Sequence, residues 1–197
     1  MSVKVVIGAM VALPVLTLVA TVGSGSSLLG LPISDTSSGG SKGSGVVLAS
    51  DRRMPDQFGT LISKWGNECP ALSPQILAAQ LYQESGFNPK AQSPASAQGI
   101  GQFIPATWAS HGIDGNGDGK RDVWDPEDAI PSAAKYDCSV WRDVRSVSGD
   151  ATRNMLAAFN AGPGAVKKYG GIPPYQETRN YVQIIMSAAP SFKMSSG

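Results

Sequence analysis

The first fifty residues carry only three charged side chains, Lys4, Asp35 and Lys42, and this asymmetry limits where a folded domain can lie. Residues 5–22 (VVIGAMVALPVLTLVATV) form an uncharged, apolar run of 18 directly after Lys4. Such a run is just long enough to span a bilayer as a helix and exceeds the usual core of a signal peptide. Gly8 and Pro14 weaken the helix, although lipid tolerates both. The run also lacks the polar face that a helix packed on a globular core would show. Residues 1–23 are therefore expected to be a signal peptide or a membrane anchor, and either sends the rest of the chain across a membrane. Residues 24–50 hold 15 Gly or Ser among 27 positions, too little apolar surface to fold, which predicts a flexible linker.

The remaining residues, from 51 onward, contain 14 basic and 14 acidic side chains and are enough for one domain over 51–190. The whole-chain formal charge of +1 excludes the marked basic excess of a nucleic-acid binder. The domain is expected to act as a monomer, tied to a membrane only if the N-terminal segment stays uncleaved. In an exported chain the two cysteines, Cys69 and Cys138, are most simply one disulfide, with two buried free thiols as the alternative. A zinc site has no support, because there is no CxxC and His111 is the only histidine.

Apolar spacing in the domain is helical wherever it is regular. Helices are predicted over Asp56–Trp65 and over Gln75–Glu84, the second opened by Ser73-Pro74 and stopped by Gly86. Asp125-Pro126 opens another through about Trp141, with Pro131 costing a hydrogen bond or bending it. Three more follow, over Ala151–Phe159 with Asp150 as cap, over Ala165–Tyr169, and from Tyr175 to about Ala188. No segment alternates with period two, so the expected class is mainly α.

One carboxylate stands in the wrong place. Leu77, Leu81 and Glu84 share a helical face, so Glu84 is carried to the buried side, in the last turn before Gly86. Burial and the negative end of the helix dipole both disfavour its charge. A carboxylic acid that keeps its proton near neutral pH is what acid catalysis of glycosidic cleavage requires. A glutamate swung into solvent at a frayed end is the plain alternative.

The stretch Glu84–Pro105 (ESGFNPKAQSPASAQGIGQFIP) resembles the signature of the soluble lytic transglycosylases, lysozyme-like enzymes that cut peptidoglycan. Two further blocks resemble that family in the right order, Ala158–Gly164 (AFNAGPG) and Glu177–Val182 (ETRNYV). The resemblance implies a helical, lysozyme-like fold with Glu84 as catalytic acid/base. It places Ser93 near the N-acetyl and anhydro-forming region of the substrate, Gln102 on the glycan, Phe159 and Asn160 in the groove, and Glu177 as a second, supporting glutamate. Phe159 stands where the family has tyrosine, and Gly101 and Ile104 stand where many members have methionine. The structural alternatives are turn roles for Ser93 and Gly99, a core role for Phe159 and a capping role for Glu177.

Residues 114–125 (DGNGDGKRDVWD) follow the spacing of a calcium loop. Asp114, Asn116, Asp118, the Lys120 carbonyl, Asp122 and Asp125 occupy the ligand positions, and Gly119 the sharp turn. The chain has Asp125 where a bidentate glutamate is usual, and a helix before the loop is not evident. The segment after it, Trp124–Ile130, resembles the membrane-bound lytic transglycosylase B type. Structural Ca2+ is thus expected, against the alternative of a solvated acidic turn. The expected activity is cleavage of the β-1,4 bond between N-acetylmuramic acid and N-acetylglucosamine with a 1,6-anhydro product. The runners-up are a hydrolytic, goose-type-lysozyme-like muramidase and a non-catalytic cell-wall-binding module.

Overall fold

The computed structural model describes residues 54–193, and the expectations for residues 1–23 and 24–50 lie outside that range. Seven helices and one closing 3-10 turn make up the described chain: α1 (Asp56–Trp65), α2 (Pro74–Ser85), α3 (Pro105–His111), α4 (Pro126–Val144), α5 (Ala151–Ala161), α6 (Pro163–Tyr169), α7 (Gln176–Ala188) and the turn Ala189–Ser191. Strand pairing among the described residues is limited to isolated bridges, Gln92 with Gln98 and Gln98 with Phe103. No described helix is long and apolar enough to cross a membrane.

Local signals set most boundaries. Ser73 Oγ accepts from Ile76 N at 3.3 Å and Pro74 fills the first helical position, while Gly86 closes α2 in the left-handed conformation at φ 62°. Asp125 and Asp150 cap α4 and α5 by accepting from Glu127 N and Arg153 N, each at 2.8 Å. The structure adds α3, where no helix was evident in the sequence. It also carries α4 on to Val144 and α5 on to Ala161, and starts α6 at Pro163. Pro131 sits inside α4 without ending it, although it denies the Glu127 carbonyl its usual partner.

α2 and α5 form the interior. Residues Ile76 to Leu81 of α2 and Asn154 to Ala161 of α5 are buried without interruption. Around them, α4, α6 and α7 pack on α5, and α1 and α7 pack on α2. Cys69 and Cys138 are joined in a disulfide, tying the segment before α2 to the middle of α4, as the even cysteine count suggested.

Candidate active site

Glu84 leaves α2 where that helix surfaces from the core. Leu77 and Leu81 on the same face are fully buried, and Glu84 itself is half-buried. Its Oε1 accepts a hydrogen bond of 2.6 Å from the Tyr181 hydroxyl of α7, a residue 97 positions away. Loss of hydration pushes the Glu84 carboxyl up to about 8, the Tyr181 hydroxyl acts against this, and the charge of Glu177 adds to it. Part of the side chain still meets solvent. Tyr181 is itself buried, and its phenol is held well above the ordinary range by burial and by the neighbouring Glu84 charge.

Behind this pair lies a buried polar row. Gln80, one helical turn before Glu84, donates from Nε2 to Asp137 Oδ1 at 3.2 Å, and both side chains are completely buried. The Gln80 side chain also faces the Tyr181 phenol and lowers its pKa. Asp137 is pushed well above the usual carboxylate range by burial, against the bond from Gln80, with the Glu84 charge adding to the rise. The sequence reading did not single out Gln80, Asp137 or the role of Tyr181.

The motif after Glu84 folds into a loop that is fastened to α2. Ser85 Oγ donates to the Ile100 carbonyl at 2.8 Å. Gln102, buried and in the left-handed region at φ 47°, donates from Nε2 to the Ala91 and Gly99 carbonyls at 3.1 and 2.9 Å. Ser93 Oγ accepts from Ala97 N at 3.0 Å inside a turn. Gln102 therefore clamps the loop through its amide nitrogen, with its carbonyl oxygen outside these bonds, and Ser93 keeps its hydroxyl proton and a second lone pair.

The remaining positions divide. Phe159 is core, its ring 5.2 Å from that of Tyr136 on α4. The hydroxyl at Glu84 comes from Tyr181. Asn160 is buried and accepts from Thr178 Oγ1 at 2.7 Å, which docks α5 on the first turn of α7 beside the exposed Glu177. Glu177 thus acts on Glu84 through its field.

The acidic loop lies between α3 and α4, so a helix does precede it. Asp114 closes the ring by accepting from the backbone N–H groups of Gly117, Asp118 and Gly119 at 2.6 to 3.1 Å. Asp118 and Asp122 accept from Lys120 N and Trp124 N, and Asn116 Nδ2 donates to Asp125 Oδ2 at 3.2 Å. Asp128, almost wholly buried, anchors both ends by accepting from Gly115 N at 2.7 Å and Asp122 N at 2.8 Å. A Cβ at Gly115 would lie 2.1 Å from the Glu127 carbonyl, the one whose usual helical donor Pro131 removes. The donor set is hard oxygen throughout, which suits calcium. As placed, however, no three Asp, Glu, His or Cys side chains among the described residues gather closely enough to hold a metal ion. The loop in turn braces the motif loop: Gly99 has φ 74°, and a Cβ there would lie 2.0 Å from the Val123 carbonyl.

Comparison with known proteins agrees with this architecture. The soluble lytic murein transglycosylase of Escherichia coli (strain K12) is 29% identical over 157 residues, covering 70% of this chain and 23% of the relative. The membrane-bound lytic murein transglycosylase B of the same strain is 43% identical over 61 residues, 31% of this chain and 17% of the relative. The chain thus spans less than a quarter of the length of these curated relatives. The crystal structure of the 70 kDa soluble lytic transglycosylase from Escherichia coli superposes with a TM-score of 0.57 at 24% identity, over 68% of this chain and 24% of that one, a likeness of fold. Residues 61–182, from α1 through the Tyr181 that reaches Glu84, match the model of the transglycosylase SLT domain, and the chain belongs to that family.

Proposed function

We propose that the chain cleaves the β-1,4 bond between N-acetylmuramic acid and N-acetylglucosamine in peptidoglycan, with Glu84 as the single acid/base. The observation that carries this is Glu84 itself, pushed up to about 8 by loss of hydration yet held by one donor, Tyr181. At neutral pH it holds a proton for the leaving glycosidic oxygen. The carboxylate so formed keeps the Tyr181 hydrogen bond and then takes the proton of the muramoyl C6 hydroxyl. That hydroxyl closes the 1,6-anhydro ring, and no water is consumed. Hydrolysis of the retaining or inverting kind would use a second carboxylate. Asp137 is completely buried and Glu177 is exposed, and the anhydro route needs neither as nucleophile or base.

Muropeptides released from purified peptidoglycan would be weighed. Anhydromuramoyl ends are the expected product, and reducing ends one water heavier would replace this reading with a muramidase. Glu84→Gln should remain folded and lose activity by about a hundredfold or more, since an amide donates no acidic proton. A folded Glu84→Gln protein that still clears peptidoglycan would refute the assignment.

The acidic loop is proposed to take Ca2+ in a structural role, held by Asp114, Asn116, Asp118, the Lys120 carbonyl, Asp122 and Asp125. The cation would neutralise charges that otherwise repel one another. With the apolar run at residues 5–22, the domain is proposed to be exported and to face the cell wall as a monomer.

A further inference from the structure

Two buried side-chain atoms among the described residues lack any hydrogen-bond partner, Gln80 Oε1 and Asp137 Oδ2. They belong to two residues that already share a hydrogen bond, from Gln80 Nε2 to Asp137 Oδ1. An amide and a carboxylate can form only that one bond, because both remaining atoms are acceptors. An amide and a neutral carboxylic acid form two, closing a ring in which the acid O–H donates back to the amide carbonyl. One proton on Asp137 Oδ2 therefore satisfies both orphaned atoms at once. Orphaned buried acceptors forfeit the hydration they had in the unfolded chain, so the fold favours that proton.

We propose that Asp137 is a positioning residue: as a neutral acid it locks the Gln80 amide, and the locked amide fixes the direction of a hydrogen-bond chain that ends on Glu84. With its carbonyl held by Asp137, Gln80 presents N–H to the Tyr181 oxygen. Tyr181 then accepts from Gln80 and has its own proton to give, which goes to Glu84 Oε1 at 2.6 Å. A Tyr181 oxygen occupied in this way is no rival acceptor for the Glu84 proton. The acid proton of Glu84 is thereby confined to Oε2, the oxygen left for substrate. Once that proton is given up, the same chain supports the carboxylate. The titratable groups that interact with Asp137 are Glu84 from α2, Tyr181 from α7 and Tyr136 beside it on α4, with Glu177 beyond Glu84. All four are acidic, so none of them draws the proton off Asp137. The proposal rests on Glu84 being the acid.

Asp137→Leu removes the acid and Asp137→Asn restores its hydrogen-bond pattern, since an amide N–H stands in for the acid O–H. Asp137→Leu is expected to lower kcat by about tenfold with KM within about twofold, and to move the alkaline limb of the kcat/KM profile to higher pH as Glu84 loses its oriented donor. Asp137→Asn should rescue both kcat and the limb to within about twofold of the parent. Infrared difference spectra in a Glu84→Gln background should show a protonated carboxylic acid at neutral pH that vanishes when Asp137→Asn is added. Absence of that band, or an Asp137→Asn enzyme as impaired as Asp137→Leu, would overturn the proposal. If Asp137→Leu fails to fold, the infrared arm and the Asp137→Asn profile decide it. An active Glu84→Gln protein would instead sink the role of Glu84, while the band would still report the state of Asp137.

Discussion

Helix α4 buries two aspartates, nine residues apart, in opposite ways. Asp128, at the start of the helix, has a backbone N–H on each oxygen, from Gly115 and Asp122. Asp137, in the middle, has one side-chain amide on one oxygen and nothing on the other. Exposure does not separate them, at 1% and 0%. What differs is the donors. At the loop, the backbone supplies fixed N–H groups that a carboxylate can staple. Behind Glu84, three helices meet through side chains, and the acid must bring its own proton to complete its bonds. The loop is a structural knot, and the row behind Glu84 is proposed to orient that one carboxyl.

One substitution made at both positions sharpens the contrast, and it carries the largest expected effect. Asp128→Asn replaces an acceptor oxygen by an amide that faces a backbone donor, leaving buried groups unpaired. It should cost about 3 kcal/mol or more, read from denaturant midpoints. Asp137→Asn should cost less than about 1 kcal/mol, because its N–H faces an empty acceptor. Equal losses at the two sites would erase the distinction.

The same contrast explains what the residues disclosed in advance. Helix ends were legible wherever a cap and a glycine or proline marked them, as at Ser73-Pro74, Gly86, Asp125-Pro126 and Asp150. α3 was not, because its seven residues bury no side chain and so carry no apolar stripe. Glu84 was legible as a charge on a buried face. Tyr181 was hidden, since with Val182 and Ile185 it reads as an ordinary core stripe of α7. Gln80 did leave a signal, as a polar residue in the apolar run ILAAQLY one turn before Glu84, whereas Asp137 stands between Lys135 and Ser139 in a mixed stretch. Only the tertiary fold shows that they meet, because 57 residues separate them.

Calcium offers the next test, and it acts on the loop alone. A cation bound only to the native state at a hundredfold excess over Kd adds about 2.7 kcal/mol. Melting temperature should rise with millimolar calcium and fall with chelator, and Asp118→Ala should abolish the difference. Hydrogen exchange should loosen first at residues 114–128, then at the motif loop braced through Gly99 and Val123. Identical melting curves with calcium and with chelator would leave the loop a bare acidic turn.

The smallest effect is a pH dependence that belongs to the other region. Glu84 titrates near 4.5 when unfolded and is pushed up to about 8 in the fold. The folded state therefore binds this proton more tightly than the unfolded chain. The stability it contributes is complete below pH 4.5 and is lost progressively as pH rises to about 8. Each unit of displacement corresponds to about 1.4 kcal/mol, and screening through the accessible part of Glu84 reduces the total to roughly 2 kcal/mol. Asp137, displaced in the same direction, adds a component of the same sign. Unfolding free energy should accordingly decline between pH 4.5 and 8. Glu84→Gln should flatten part of that decline and make the protein more stable than its parent near pH 8, while Asp137→Asn should remove a further part. Asp128→Asn, which alters the loop and leaves both raised acids in place, should keep the slope and lower the whole curve. A parent profile that stays level across this range would mean that Glu84 is hydrated in the fold, and the acid would lose the physical basis for its role.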